Sequence, residues 1–376
     1  MKSFPTFFWL LIGLFAFLPA EALALPPGTL ATARAHSAIG VADGMLYFVT
    51  DFSWPEQGSG TRIMVMPLSG GTPSVVATGL HRITAFVLAP HHLYWKTMAG
   101  EVQRVPRRGG VVETLAVVEA STTDFEGLAV TSSETSVFFT REGPPGKGVG
   151  SFGGRPRLNI PGSVHRIDLV RSRKPVTATL FSGSSGAHGL ALGPGVVYFV
   201  SYDGIHRVSQ AGGATVLVDP VPNGTRGVSS DDSALYWGTW DGDVDRLLRH
   251  PFGGGVSSPI FSSRRLGFGS SIAVGEGRLV WQASDDKAAY MLTMPALGGP
   301  VTLLATSMLD TSPVIAGDDA YWAELGAKRE EGRPATAKSD VPRFIRRAPL
   351  TGEGCGSREC PPGFRCMTGV CTLIPD

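Results

Sequence analysis

The chain has 376 residues and a formal net charge of +1, with 43% hydrophobic and 17% charged residues, 49 glycines and 28 prolines. This composition excludes a disordered chain and is sufficient for a large packed fold rich in turns. The small net charge, and the lack of a basic segment interleaved with aromatic residues, argue against nucleic acid as a partner.

The N-terminal segment Met1–Ala24 has the organisation of a secretory signal. Lys2 precedes the apolar run Phe7–Leu18, and Ala22–Ala24 is a small-x-small cleavage site. The run is shorter than the roughly 20 residues that span a bilayer, so we expect cleavage near Leu25, with retention as an anchor as the alternative. No later segment is long and apolar enough to cross a membrane. The sequence therefore predicts a mature, monomeric protein that is secreted or periplasmic.

A short aromatic or apolar strand recurs seven times along the rest of the chain. Each copy is bounded by Asp, Gly and Ser turn residues, and the step from Tyr47 to Tyr94 is 47 residues. The seven dipeptides that mark the repeats are Tyr47-Phe48, Tyr94-Trp95, Phe138-Phe139, Tyr198-Phe199, Tyr236-Trp237, Val280-Trp281 and Tyr321-Trp322. This spacing is typical of propeller blades. It predicts an all-β fold, a β-propeller of seven four-stranded blades over residues 25–352, with six or eight blades left open.

The N-terminal strand is expected to close the ring. Gly28–Thr32 precedes the first innermost strand, Ile39–Ala42, and the last repeat ends after its third strand, Phe344–Ala348. The N-terminal strand can therefore supply the missing outermost strand of the last repeat, which removes the free sheet edges.

The two faces of the predicted ring differ in their connections. If the strands of each repeat are labelled A to D from the axis outwards, the A–B and C–D turns share one face, which we call the regular face. The B–C and D–A connections share the other, the variable face, and the long insertions Phe52–Arg62, Arg141–Ser163 and Gly326–Asp340 belong to it. Binding residues commonly collect in such loops, although surface loops also tolerate insertions without function. Trp54 is a candidate stacking residue there, or an anchor of its own loop.

Seven polar residues occupy equivalent positions where the A strands begin on the variable face. They are Ser37, Thr84, Glu126, His188, Arg226, Ser270 and Ser312. Glu126, His188 and Arg226 come from consecutive repeats, and Asp124 and His36 are close in sequence. An acid, an imidazole and a fixed cation at the channel mouth can bind an anionic or sugar-like ligand, or perform acid–base chemistry through Glu126 and His188. The alternative is a wet polar channel mouth without a specific role.

The alternating carboxylates Asp241, Asp243 and Asp245 suit calcium, the one cofactor that the sequence suggests. The glycine and the distal Glu of a helix-loop-helix calcium site are missing, so an acidic solvated loop is the alternative. Motifs for a nucleophile elbow, a zinc-protease helix and a dinucleotide loop are absent from the sequence.

All four cysteines lie in a tail, residues 353–376, at positions Cys355, Cys360, Cys366 and Cys371. An even set of close cysteines in a secreted chain predicts disulfides, with three possible connectivities. A zinc knuckle is the alternative, but no CxxC pair or neighbouring histidine supports it. Of the three, we expect the interlaced pairing, Cys355 with Cys366 and Cys360 with Cys371. A segment this short cannot build a core of its own and needs such bonds.

Two hexapeptides carry a resemblance to a known class of repeats. Leu46–Asp51 and Tyr236–Asp241, followed by strands that end in Arg, Pro and Gly-Gly, resemble YWTD-type propellers. These are the propellers of low-density-lipoprotein-receptor relatives, usually six-bladed, and of many secreted bacterial proteins. The resemblance covers about residues 28–352 and implies the propeller fold and, because most members bind proteins, a role in recognition.

Virginiamycin B lyase and the sugar lactonases are similar at the level of the repeat. The lactonases hold a metal with Glu, Asn and Asp at the channel mouth, but Asn159 and Asn223, the only asparagines, miss the equivalent positions. The tail resembles small four-cysteine modules at the ends of secreted bacterial proteins. The sequence therefore predicts a secreted non-enzymatic propeller that binds a protein or a small molecule on the variable face. The alternative is a hydrolase or lyase acting through Glu126 and His188.

Overall fold

The structure is a computed structural model that describes residues 29–32, 35–50, 60–119, 127–142, 161–169, 174–184, 186–220, 225–306, 312–325, 343–352, 354–355 and 360–374. All the regular secondary structure among these residues is β-strand. In chain order they are β1 (Thr29–Thr32), β2 (Ala35–Ala42), β3 (Met45–Thr50), β4 (Thr61–Pro67), β5 (Ser74–Leu80), β6 (Ile83–Leu88), β7 (His92–Thr97), β8 (Glu101–Pro106), β9 (Glu113–Val117), β10 (Leu128–Val130), β11 (Ser136–Glu142), β12 (Gly162–Asp168), β13 (Val176–Gly183), β14 (His188–Gly193), β15 (Val196–Ser201), β16 (Gly204–Ser209), β17 (Val216–Pro220), β18 (Thr225–Ser230), β19 (Ala234–Trp240), β20 (Asp245–Pro251), β21 (Ser258–Ser263), β22 (Gly267–Gly275), β23 (Arg278–Ser284), β24 (Ala289–Pro295), β25 (Thr302–Thr306), β26 (Val314–Ala316), β27 (Asp319–Leu325), β28 (Arg343–Pro349), β29 (Phe364–Met367) and β30 (Val370–Leu373).

These strands pair antiparallel within each repeat and form a β-propeller. The four-stranded sheets are β2–β3–β4–β5, β6–β7–β8–β9, β10–β11–β12–β13, β14–β15–β16–β17, β18–β19–β20–β21 and β26–β27–β28–β1. The innermost strands β2, β6, β10, β14, β18, β22 and β26 contact one another in that order, and β26 contacts β2. The ring is therefore closed, and the predicted propeller fold is confirmed.

The expectation of seven equal four-stranded blades needs a correction. Six sheets are four-stranded blades, whereas the sixth repeat in chain order belongs to a six-stranded sheet, β22–β23–β24–β25–β30–β29. The tail hairpin β29–β30 causes the difference, because it adds to the outer edge of β25. Thr302 pairs with Thr372, and the backbone N–H of Leu373 donates to the carbonyl of Val301 at 2.9 Å. The tail is thus an extension of one sheet.

Both predictions for the ends of the chain are confirmed. β1 pairs with β28, with Thr32 opposite Phe344, so the N-terminal strand completes the last repeat. The disulfides join Cys355 to Cys366 and Cys360 to Cys371, in the interlaced pairing.

The core consists of seven apolar clusters, one between each pair of neighbouring sheets. The aromatic dipeptides build them, because alternate residues of a strand point to opposite faces of a sheet. Tyr236 packs towards the sixth repeat, while Trp237 packs against Tyr198 of the fourth. Both side chains are completely buried. The aromatic residues of the B strands therefore form the core.

The regular face is held by the same backbone hydrogen bond in every repeat. The residue after each C strand donates its N–H to a carbonyl in the A–B turn of its own repeat, at 2.7 to 3.0 Å. The seven bonds run from Leu68 to Gly44, Arg107 to His91, Leu169 to Thr135, Gln210 to Gly195, Phe252 to Ser233, Ala296 to Gly277 and Leu350 to Asp318. These bonds place the A–B and C–D turns on one face, as predicted.

Candidate functional site

Among the residues predicted to bind a ligand at the channel mouth, the structure describes the side chain of His188; among the other ring positions it also describes those of Thr84 and Ser312. Asp124, Glu126 and Trp54 lie outside the described residues. His36 and Arg226 lie on β2 and β18, whose backbone is described there although those two side chains are not. The convergence of these groups at the channel mouth stays a prediction.

Strand register supports the equivalence of some of the ring positions and corrects one. His188 lies opposite Val200, and Arg226 lies opposite Gly238; each is followed by a β-bulge. In the second repeat the bulge comes one residue earlier, and Ala85 takes the corresponding place opposite Lys96. A bulge adds a residue to one strand, so aligning the sequence by spacing alone misplaced Thr84 by one position.

His188 lies at the variable-face end of the boundary between the third and fourth repeats. Its imidazole centroid is 5.3 Å from that of Tyr202, and Tyr202 donates its hydroxyl hydrogen bond to Glu142 of the neighbouring sheet. Glu142 is buried, with 2% of its surface exposed. The three side chains form a polar group that we call the His188 cluster.

One ring nitrogen of His188 lacks a hydrogen-bond partner among the described residues. Its Nδ1 atom is buried and has no hydrogen-bond partner in the described part of the chain. Burial lowers the pKa of His188, and the negative charge of Glu142 opposes that shift without reversing it. The ring is therefore neutral at pH 7. A neutral imidazole with a free nitrogen can exchange a hydrogen bond or a proton with a bound molecule.

A second polar group lies one boundary away, between the second and third repeats. Lys96 is completely buried, and Arg141 forms an ion pair with Glu119. His165 has its Nε2 atom 2.7 Å from Ser163 Oγ. Lys96 and Arg141 lie near the ends of β7 and β11 that point to the variable face, and His165 lies in the middle of β12.

The charges of this second group act on His165. Burial, together with the positive charges of Arg141 and Lys96, lowers the pKa of His165 to about 4. The ring stacks on Phe139 with the centroids 4.9 Å apart. His165 is consequently a neutral, packed imidazole, and it is a weak proton acceptor at pH 7.

Sequence reasoning missed Glu142, Tyr202, Lys96 and His165. Glu142, Tyr202 and Lys96 lie at or next to the end of a strand, whereas His165 lies in the middle of β12, and no motif or repeated spacing links one to another. In the sequence, the one signal for such residues is a charged or titratable side chain within an apolar strand pattern, as Lys96 after the aromatic pair Tyr94-Trp95.

The three aspartates considered for calcium do not converge. Each carboxylate has its own protein partner: Asp241 with Arg246, Asp243 with Arg264 at 3.3 Å, and Asp245 with the backbone N–H of Phe268 at 3.2 Å. Within the described ranges, the one cluster of potential metal-ligand atoms comprises Cys355, Cys360 and Cys371, whose sulfurs are joined in disulfides. The geometry gives the calcium hypothesis no support.

In the described part of the chain, no helix has the length and hydropathy required to cross a bilayer.

Comparison with known proteins finds relatives in structure and none in sequence. No protein family matches the chain, and no curated protein is similar to it. An oligogalacturonate lyase from Vibrio parahaemolyticus has a TM-score of 0.62 at 9% identity, over 87% of this chain and 93% of its own. A second oligogalacturonate lyase, solved in complex with manganese, has a TM-score of 0.59 at 11% identity, over 87% of this chain and 92% of its own.

A puromycin-hydrolyzing peptidase from Mycobacterium tuberculosis has a TM-score of 0.58 at 13% identity, over 86% of this chain and 53% of its own. This chain thus spans about half of the peptidase. At such low identities the similarities show the fold alone. They agree with the strand topology in defining the chain as a β-propeller protein.

Proposed function

We propose that the chain is an extracytoplasmic, non-enzymatic binding propeller that recognises a protein or a small-molecule ligand on its variable face. The observation that carries the proposal is the contrast between the faces. On the regular face all seven repeats use one backbone hydrogen bond and short turns. The variable face receives the three long connections, residues 51–60, 143–161 and 326–342, from the ends of B strands.

Two further observations support recognition on that face. The His188 cluster gives it a buried nitrogen without a partner, which a ligand can satisfy. The resemblance of Leu46–Asp51 and Tyr236–Asp241 to YWTD-type propellers favours a binding role, because most of those propellers bind proteins.

An extracytoplasmic location is supported by the two disulfides, since such bonds persist in oxidising compartments. The expected secretory signal Met1–Ala24 supports the same location. Such bonds also stabilise a hairpin as short as β29–β30.

The His188 cluster also favours a second candidate, a hydrolase or lyase of the channel mouth. The sequence pairs His188 with Glu126, and the described acid next to its ring is Glu142. A neutral imidazole close to a buried carboxylate is a common acid–base arrangement. The similarity to lyases and to a peptidase is consistent with this alternative, although it extends only to the fold.

The experiment that separates the candidates begins with a thermal-shift screen of the mature chain. Calcium, zinc, sugars, lactones, small acids and candidate proteins are the probes, because a ligand of the native state raises the melting temperature. For any ligand found, His188→Ala and a variant with residues 143–160 replaced by a short Gly-Ser linker are compared with Asp232→Ala, a control on the regular face.

The binding proposal predicts that the loop variant loses affinity, while the control binds as the unmodified chain does. Turnover of the ligand, abolished by His188→Ala with affinity kept within a few fold, would instead establish the enzyme. Unchanged affinity in both test variants would exclude the variable face as the binding surface.

A further inference from the structure

No disulfide joins the C-terminal tail to the propeller. Both disulfides lie inside the tail, between Cys355 and Cys366 and between Cys360 and Cys371. The chain has four cysteines in all, and none of them is free. The tail therefore stays on the sixth repeat through hydrogen bonds and side-chain packing alone.

The tail covers the outer edge of β25. Thr302 of that strand pairs with Thr372, and the carbonyl of Val301 accepts the backbone N–H of Leu373 at 2.9 Å. The first residues of β25, Thr302 and Leu303, are both buried. By contrast, β5, β9, β13, β17 and β21, the outermost strands of the first five repeats, each begin with two exposed residues. The tail thus closes a sheet edge whose counterparts in those repeats face solvent.

The tail hairpin needs its disulfides to form. β29 and β30 have four residues each, and so short a segment cannot bury enough apolar surface to fold alone. Cys355 and Cys371 also belong to the apolar cluster that contains Phe364 and Tyr290. Breaking the two bonds therefore removes the constraint on the hairpin and weakens its packing on the sixth repeat.

The tail also supports a turn of the variable face. Phe364 packs against Tyr290 with the ring centroids 5.3 Å apart, and the hydroxyl of Tyr290 donates to Asp285 at 2.9 Å. Asp285 in turn accepts the backbone N–H groups of Lys287 and Ala288, each at 2.8 Å. These contacts connect the tail to the turn between β23 and β24, which belongs to the variable face.

We propose that the tail is a redox-sensitive strap. With its disulfides formed, the strap closes the edge of β25 and holds the turn between β23 and β24. Reduction by a dithiol opens the strap, uncovers that edge and loosens the turn. The seven repeats stay folded, because the ring contains no cysteine and is closed by β1 and β28. The opening does not depend on the function proposed for the variable face, since no ligand takes part in it.

The chemistry of the opening is thiol–disulfide exchange. A thiolate of the dithiol attacks one sulfur and forms a mixed disulfide, and the exposed residue Cys366 offers the first point of attack. The second thiolate of the same reductant then breaks the mixed disulfide. Each tail disulfide gains two electrons and two protons and becomes two thiols, and the dithiol leaves as its own disulfide.

Hydrogen exchange of the full mature chain, with and without dithiothreitol, tests the proposal. Reduction should speed exchange of the Leu373 amide, which is bonded to Val301, and of the Ala288 amide, which is bonded to Asp285. We expect a change of at least about tenfold at both amides. The internal control is Ala296, whose amide donates to Gly277 on the regular face of the same repeat and should exchange at an unchanged rate.

The result at each amide decides a separate part of the proposal. Unchanged exchange at Leu373 would show that the tail stays in place after reduction and would overturn the strap. Faster exchange at Leu373 but not at Ala288 would exclude the connection to the variable face. Equal acceleration at Ala296 would show that the disulfides stabilise the whole propeller, which also contradicts the proposal.

A variant without cysteines identifies the target of the reductant. With Cys355, Cys360, Cys366 and Cys371 all replaced by serine, the chain should exchange as the reduced chain does and should not respond to dithiothreitol. Slow exchange at Leu373 in this variant would refute the dependence of the strap on its disulfides.

Two glycines allow a test with both disulfides intact. Gly352 has φ of +96°, and a Cβ added there would lie 2.2 Å from Thr302 Cγ2 of β25. Gly352→Ala should therefore displace the strap from β25 and speed exchange at Leu373 severalfold. The matched control is Gly354→Ala, because Gly354 has no positive φ and its Cβ would meet no atom closer than 3.7 Å. Equal exchange in the two variants would contradict the seating of the strap on β25.

Discussion

The regular and variable faces of this propeller are built from the ends of the same strands but in different ways. On the regular face, buried carboxylates accept hydrogen bonds from their own surroundings, as Glu134 does from Tyr94 at 3.0 Å. On the variable face, Arg141 Nε and His188 Nδ1 are buried without a hydrogen-bond partner among the described residues. Unsatisfied buried groups cost stability, so these examples differ in how far the hydrogen-bonding capacity of buried polar groups is met.

The largest expected effect is a loss of folding stability at acidic pH, caused by protonation of His165. The folded-state pKa of His165, about 4, lies below its ordinary value of 6.5. Because the unfolded state binds this proton more tightly than the folded state does, the free energy of unfolding is highest above pH 6.5. It falls as the pH is lowered towards 4, by about 3 kcal/mol in total. Urea denaturation of the unmodified chain and of His165→Gln, at intervals from pH 7 to pH 4, measures the loss.

The His165→Gln variant should lose much less stability over that interval, because it has no imidazole to protonate. The control is His81→Gln, which removes an exposed imidazole paired with Glu101 and should keep the slope of the unmodified chain. If His165→Gln and the unmodified chain had the same slope, the acid sensitivity would belong elsewhere in the molecule.

An intermediate effect is expected on the regular face, at Glu134. Burial raises the pKa of this carboxyl, but hydrogen bonds from the backbone of His91 and from His92 and Tyr94 outweigh burial and hold the pKa below 4.5. The contribution of Glu134 to the free energy of unfolding is therefore fully present above pH 4.5 and is lost as the pH falls below that value. Glu134→Gln should lower the free energy of unfolding at pH 7 by about 1–2 kcal/mol.

Glu113→Gln is the matched control, since the Glu113 side chain is 48% exposed and pairs with Arg104 at the surface. Its effect should stay within about 0.5 kcal/mol. Equal losses in the two variants, measured by chemical denaturation, would show that the regular face does not depend on its buried carboxylates.

The smallest effect tests a single turn of the regular face. Gly254 has φ of +98°, whereas its neighbour Gly253 does not have a positive φ, and no atom would obstruct a Cβ at either position. Gly254→Ala should cost about 1 kcal/mol through backbone strain alone. Gly253→Ala should be neutral or slightly stabilising in thermal denaturation, and a loss equal to that of Gly254→Ala would refute a conformational cause.

The repeated features of this fold were predictable because each repeat carries the same local pattern. The aromatic dipeptides gave the B strands, and the absence of a fourth strand after Phe344–Ala348 gave the pairing of β1 with β28. Disulfide formation was also predictable, because the four cysteines lie in one short segment, although the segment alone leaves three connectivities open.

The features that were missed depend on contacts between distant residues. The tail adds to β25 through Thr302 and Thr372, and neither residue belongs to a repeated pattern. Glu142 and Tyr202 are 60 residues apart and meet only because neighbouring sheets pack together. The alignment placed Thr84 one residue away from the true ring position, because spacing in a sequence cannot locate a β-bulge.

The pairing of β1 with β28 also sets the order in which the molecule can be completed. Thr32 meets Phe344 across more than 300 residues of intervening chain. At roughly 5–20 residues per second of synthesis, the first strand waits on the order of 15–60 s for its partner. Until then the nascent chain has two unsatisfied strand edges, β1 and the outer side of the incomplete ring. A chain that ends before residue 343 would keep both edges unpaired and would be an open, aggregation-prone arc.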